Sequence, residues 1–213
     1  MERKIKAFLL IIMTVTTTAF AGENGAVMAS LEKDRSSLKR KTVSAPLHTE
    51  TYEYYEICGS CERDLLDQMT RKAVMWHDGV KYDSVTSWKV KWDYDYDRSS
   101  HACSADSFRM TVNVIYRLPK WVRTGDVPQS LVDKWDAYMK HLMTHENGHG
   151  KIVLEAADEM TRAVAELSPA PTCEDLDRQV KTLCRLRLKK LDDEQKRYDE
   201  STSHGILQGA LFP

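Results

Sequence analysis

The stretch His145-Glu146-Asn147-Gly148-His149 holds the residue types best suited to chemistry in this chain. It has the form H-E-x-x-H, and the apolar periodicity around it is helical. Successive helical residues turn by ~100°, so side chains four apart stand one above the other on one face. Two imidazoles placed that way can hold one zinc ion, and the glutamate between them lies where it can act on water. A catalytic zinc takes three protein ligands and keeps a further position open. His145 and His149 supply two, so a third must come from elsewhere.

Glu155 stands six residues past His149, a spacing that needs a sharp turn of the chain after the motif. Lys151 to Glu166 reads instead as continuing helix, which carries Glu155 off the face. His204 is the better candidate, because an antiparallel return after one more helix could bring it back, and Gly205 permits a close backbone approach. Glu159 and Asp177 are outside alternatives. The expected chemistry is hydrolytic: zinc brings the pKa of water to about 7 and polarises a carbonyl. Glu146 then takes the proton and passes it to a leaving amine. A backbone N–H, Tyr198 or Gln208 could stabilise the oxyanion. Peptide or protein is the expected substrate, with peptidoglycan amides as a further possibility. The competing class is a non-catalytic exported protein that binds metal or an envelope partner and keeps the histidines for structure.

The elements that position these residues follow from periodicity. From Ser130 onward Leu131, Trp135, Tyr138, Leu142, His145, His149, Ile152, Ala156, Met160 and Ala163 recur at helical steps, predicting one long helix that ends before Pro169. Both motif histidines lie on its core stripe. Gly148 and Gly150 each weaken an isolated helix by up to ~1 kcal/mol, but leave room for a substrate or a neighbouring element. Thr172 is the expected N-cap of a last helix, with a stripe of Leu176, Val180, Leu183, Leu191 and Tyr198. Upstream, Trp88 to Tyr96 and Phe108 to Leu118 alternate apolar and polar residues, predicting a half-buried antiparallel hairpin that Pro119 terminates. Thr51 to Ile57 favours a strand, and Glu62 to Ala73 a short helix. The fold class is α+β: an antiparallel sheet packed on the long motif helix and a C-terminal helix.

Arg3, Lys4 and Lys6, the apolar run Ala7 to Phe20 and the small-x-small Ala19-Phe20-Ala21 predict a signal peptide over residues 1–21. Residues 22–49 are charged and poor in large apolar groups, which predicts a mobile segment ahead of a domain over 50–213. Taking Glu2, Arg3, Lys4 and Lys6 from 31 basic and 32 acidic residues leaves 28 and 31, a net charge near -3. That balance argues against a nucleic-acid partner. No later stretch approaches the ~20 apolar residues of a membrane span, so the chain is expected to be secreted or periplasmic. In such a compartment Cys58, Cys61, Cys103, Cys173 and Cys184 are disulfide candidates, and an odd count leaves at least one free or paired to another chain. Cys103 with Cys173 is the preferred long bridge. Cys58-Gly-Ser-Cys61 has redox-pair spacing without the βαβ context of a thioredoxin, so it reads as a structural or local disulfide. His48, His77, His101 and His141 have no partners at ligand spacing and read as surface residues.

These motifs also occur in a particular order. A strand W-x-V-x-W-x-Y-x-Y (Trp88 to Tyr96), Cys103, L-P-x-W (Leu118 to Trp121), W-x-x-Y-x-x-x-L-x-x-H-E-x-G-H (Trp135 to His149) and H-G-x-x-Q-G (His204 to Gly209) succeed one another. The chain in this respect resembles an uncharacterised bacterial family described as predicted secreted zinc-dependent proteases (domain of unknown function 922). The resemblance implies an exported, zincin-like metallopeptidase and strengthens His204 as the third zinc ligand. Cys58 and Cys61 stand outside the resemblance.

Overall fold

A computed structural model describes residues 6–9 (by backbone pairing), 44–75, 79–98 and 101–213. The elements in chain order are β1 (Lys6–Leu9), β2 (Leu47–Ile57), α1 (Glu62–Lys72), β3 (Val74–Met75), β4 (Lys81–Tyr82), β5 (Val85–Arg98), β6 (Cys103–Trp121), α2 (Gln129–Ala165) and α3 (Cys173–Thr202). A single 3-10 turn, Ile206–Gln208, follows α3. The α+β class is as expected. The main sheet has the order β1-β5-β6-β2, and β3 and β4 form a separate two-stranded ribbon.

The sheet is mixed, which corrects the antiparallel expectation. β5 and β6 form the antiparallel hairpin, but β2 and β1 each join it in parallel. Alternation within a strand reports which face is buried and carries no information on a neighbour's direction. β2 also begins at Leu47, inside the stretch expected to be mobile. Its start is exposed, held to β6 by the backbone ladder and by Thr49 Oγ1 donating to Asn113 Oδ1 at 3.2 Å. Composition gives no sign of such pairing. The expected cleavage site near Ala21 lies outside the described residues, while β1 falls within the expected leader.

β6 continues past Pro119 to Trp121, where the sequence predicted an end. Its pairing with β5 finishes at Arg117 opposite Val85, and beyond that only β2 remains alongside, with Tyr55 opposite Pro119. A strand with one side free of the ladder tolerates a residue without an N–H.

One sheet face is the core. Trp88, Val90, Trp92 and Tyr94 of β5 and Met110, Val112, Val114, Tyr116 and Leu118 of β6 are buried against the helices. The other face is polar, with ion pairs such as Arg117–Glu53 at 2.6 Å and Arg109–Asp95 at 3.3 Å. Exposed pairs of this kind add little stability. α3 starts where expected, because Thr172 Oγ1 accepts from the Asp175 backbone N–H at 3.1 Å. It runs back along α2: Glu159 meets Arg187 at 3.1 Å near one end, and His149 meets Asp199 at 3.1 Å near the other.

The predicted Cys103–Cys173 bridge is present and ties the start of β6 to the start of α3, across 70 residues of sequence. Closing a loop of that size is worth about 4 kcal/mol in the chain-entropy account. Backbone bonds between Cys103 and Ala170, 2.8 Å in each direction, hold the two segments in the same register. Cys58 and Cys61 are unbridged, a correction to their standing as disulfide candidates, and Cys184 is a free, buried thiol. Burial pushes the Cys184 thiol up to about 12.

Candidate metal centre

α2 delivers His145 and His149 to its buried side one helical turn apart, with both side chains fully out of solvent. α3 delivers Asp199 opposite them, also buried. His145 Nε2 and His149 Nε2 are 3.2 Å apart, and each faces Asp199 Oδ1, at 3.3 and 3.1 Å. These three form a group of His, Cys, Asp or Glu side chains able to hold a metal ion among the described residues.

The hydrogen bonds around the imidazoles fix which nitrogen carries the proton. Gln195 Nε2 donates to the His149 carbonyl at 3.0 Å, which turns Gln195 Oε1 toward His149 Nδ1. An amide oxygen only accepts, so Nδ1 bears the hydrogen and Nε2 is left as a lone pair. His145 is set by a longer chain of the same logic. The Tyr198 hydroxyl donates to the His145 carbonyl at 3.2 Å and accepts from Gln208 Nε2 at 3.1 Å. Gln208 Oε1 therefore faces His145 Nδ1, at 2.9 Å, and takes its hydrogen. Two imidazole lone pairs and a carboxylate oxygen thus converge in a buried space. Three acceptors so close repel one another unless a cation lies between them. Tetrahedral ligands at ~2.0–2.1 Å from a metal stand roughly 3.3 Å apart, which matches the observed spacing. The residues fit a divalent ion.

Without a metal, the only cation this triangle can take up is a proton, and the electrostatics show it. Burial disfavours the His149 imidazolium, but the bond to Asp199 and the charges of Glu146 and Asp199 outweigh it and raise the pKa above 6.5. Burial likewise disfavours the Asp199 carboxylate, but hydrogen bonding to His145 and His149, once a proton has entered the triangle, pulls its pKa below 3.8. The His149 contribution to stability is full below 6.5 and is lost as pH rises through the raised value; that of Asp199 is present above 3.8 and lost as pH falls through the depressed one. The metal-free chain is therefore expected to gain most from this pair between about 3.8 and 6.5 and to weaken above that window. Adding metal should remove the alkaline weakening and release a proton on binding. Denaturant titrations across pH, with and without metal, check this; a metal-free chain equally stable on both sides of 6.5 would count against it.

Glu146 is fully buried one residue past His145. Its carboxylate is clamped at the start of β5: Ser84, just before the strand, donates through Oγ to Oε1 at 2.5 Å, and Thr86 Oγ1 donates to Oε2. Ser84 and Thr86 are two apart next to and on the strand, so they share a face. The sheet thus holds the acid residue while the two helices hold the donors.

The C-terminal segment closes the site. Ser203, His204 and Gly205 are all left-handed (φ 48, 53 and 83), which reverses the chain sharply after α3. A Cβ on Gly205 would come within 3.0 Å of the His145 ring, so glycine lets the backbone lie against the imidazole. The room left by Gly148 is filled by the Tyr198 hydroxyl, to which a Cβ would be 2.0 Å away. The Tyr198 ring stacks on His145 at 5.1 Å and meets the His149 ring edge-on at 4.9 Å. Phe212 anchors the tail between Trp135 and Tyr138.

Most of the expected residues gather here, in partly different roles. His145 and His149 supply donor atoms, and Gln208 and Tyr198 orient His145. His204, expected as the third ligand, stands beside the triangle, with Nδ1 3.5 Å from Asp199 Oδ1, and Asp199 occupies the third corner. Glu155 pairs with Lys151 on the surface, Glu159 pairs with Arg187 and Lys190, and Asp177 accepts from Tyr94 and Tyr96. The expected α3 stripe holds at Leu176, Val180 and Leu191 but runs through half-buried Leu183 and Tyr198, one residue short of the buried Cys184 and Asp199, and so passes Asp199 by. The buried set is Leu176, Val180, Cys184, Leu188, Leu191, Gln195, Asp199 and Thr202. An apolar stripe that turns polar for its last three members is the signal that points to a site.

The fold and this constellation define an α+β protein with a buried two-histidine, one-aspartate centre able to hold a metal ion. The chain belongs to the family described as bacterial protein of unknown function (DUF922), whose model matches residues 52–205. No curated protein and no solved structure matches it.

Proposed function

We propose that the chain is an exported, zinc-dependent metallopeptidase of zincin-like arrangement. What carries this reading is the triangle of bare donor atoms on His145, His149 and Asp199, together with the buried Glu146 carboxylate, which is held by Ser84 and Thr86 and whose charge acts on His149. His145, His149 and Asp199 would hold the ion, three ligands where a catalytic zinc takes a water or substrate as the fourth. A zinc ion supplies Lewis acidity toward a carbonyl and makes water more acidic. Glu146 accepts the proton of the attacking water and returns it to the leaving amine. Ser84 and Thr86 fix both oxygens of Glu146, and Gln195 and Gln208 keep the imidazoles in the tautomer that presents Nε2. The same donor set also suits iron(II), but a buried carboxylate that is not a ligand favours hydrolysis over oxygen chemistry. Export is supported by the leader-like N-terminus and the Cys103–Cys173 bridge, which suits an oxidising compartment. No helix among the described residues is long and apolar enough to cross a membrane.

The test is digestion of an unfolded protein and, separately, of peptidoglycan fragments, with products read by mass spectrometry. The purified chain is expected to cut peptide bonds, to stop after chelation and to recover with one equivalent of zinc. Turnover of peptidoglycan alone would make it an amidase, and no turnover of either substrate by the zinc-loaded chain would favour the non-catalytic, metal-binding reading.

A further inference from the structure

We propose that Cys58 and Cys61 form a thiol–disulfide exchange site that is separate from the metal centre and acts on low-molecular-weight or peptide disulfides. Both thiols are free and exposed, three residues apart between β2 and α1. The loop that carries them is fixed by contacts that involve no sulfur–sulfur bond. Gln68 accepts from the Cys58 backbone N–H at 3.1 Å and donates to the Cys58 carbonyl. The Trp121 indole donates to the Gly59 carbonyl at 3.1 Å, and Val122 N–H donates to the Ile57 carbonyl at 2.8 Å. Gly59 has φ 153, and a Cβ there would lie 2.5 Å from that of Asp64, so only glycine lets the loop close down on the helix. Cys61 caps α1 with its backbone, while its side chain makes no capping bond and stays available.

A structural bridge holds together segments that would otherwise separate. Here backbone and Gln68 contacts hold the segment with the thiols open, so its shape does not depend on a bond between them. That is the condition for a pair that exchanges. The Cys58 thiol rests against Gln68, 3.7 Å from Oε1 and 3.4 Å from Nε2, a contact that a bond to Cys61 would replace. Access is provided as well: Cys58 lines a polar cavity of about 290 Å³ with Asp64, Asp67, Gln68, Arg71 and Thr124. Cys184, by contrast, is buried with its thiol pushed up to about 12, and Cys103 and Cys173 are already joined.

The exchange balances within the thiols and one external disulfide. Cys58 sulfur attacks the disulfide, forming a mixed disulfide and releasing the first thiol. Cys61 sulfur attacks Cys58 in that adduct, closing the Cys58–Cys61 bond and releasing the second thiol. The protein pair loses two electrons and two protons, and the external disulfide gains both.

The experiment incubates the full chain with reduced and oxidised glutathione in varied ratio, quenches with a thiol-alkylating reagent and maps the cysteines by mass spectrometry. The expected result is a Cys58–Cys61 pair that passes from open to closed as the ratio changes, while Cys103–Cys173 stays closed and Cys184 stays reduced. Cys61→Ser should accumulate a glutathione adduct on Cys58 at least tenfold above that of the native chain, because no second sulfur can displace it. A pair that remains open at every ratio, or a bridge that stays closed in excess reduced glutathione, would overturn the proposal. So would a stable adduct on Cys61 in the native chain, or protection of both thiols by a bound metal ion removable with chelator.

Discussion

Replacing Asp199 with alanine is expected to weaken metal binding by more than about 100-fold, the upper range for loss of an outer partner of a ligand. Replacing His204 with alanine should cost no more than about tenfold. The difference follows from placement. Asp199 Oδ1 lies 3.1 and 3.3 Å from the two imidazole nitrogens and provides the one negative charge of the triangle. His204 stands further out, with Nδ1 3.5 Å from Asp199 Oδ1 and its ring tilted against Tyr82. Asp199→Ala also leaves two buried imidazoles with no acceptor between them, so its folding is checked first by thermal melting. Metal affinity is then read by competition with a coloured chelator. If His204→Ala loses as much affinity as Asp199→Ala, the imidazole and not the carboxylate completes the centre.

Glu146→Gln is expected to keep metal affinity within a few-fold and to lower turnover on the order of a hundred- to ten-thousand-fold, the usual contribution of a positioned general base. The replacement is nearly isosteric, and the hydroxyls of Ser84 and Thr86, which now donate to the carboxylate, can accept from the new amide. The fold around the site is therefore retained, while the group that takes a proton from water is gone. Rates on a cleaved peptide, measured beside metal content, separate the two effects. Wild-type turnover in Glu146→Gln would take the glutamate out of the reaction. Loss of metal together with turnover would make it a structural support of the centre.

How far the sequence anticipates this arrangement depends on how local each cause is. The α2 helix was legible because its apolar residues repeat over ten turns, and that stripe placed His145 and His149 inward. The β5–β6 hairpin was legible because alternation shows on a half-buried strand, and the Thr172 cap because its chemistry spans three residues. The parallel entry of β2 was not, since direction is decided by the path through α1 and the β3–β4 ribbon. Ser84 and Thr86 were invisible as partners of Glu146, because two hydroxyls on a strand have no meaning until a helix is laid across them. Asp199 falls between these cases. Its i, i+4 relation to Gln195 on a buried stripe was present in the sequence but masked by the dense charge of α3. The glycines were half legible: their positions suggested close approach, and the structure supplies the Tyr198 hydroxyl against Gly148 and the Tyr116 hydroxyl against Gly150.

The most direct test of the centre is a crystal structure of the chain loaded with one equivalent of zinc, the ion located by its anomalous scattering. The account predicts a single ion bonded to Nε2 of His145, Nε2 of His149 and an oxygen of Asp199, with Gln195 and Gln208 still on the Nδ1 atoms. An ion held by other residues, or imidazoles bound through Nδ1, would contradict it.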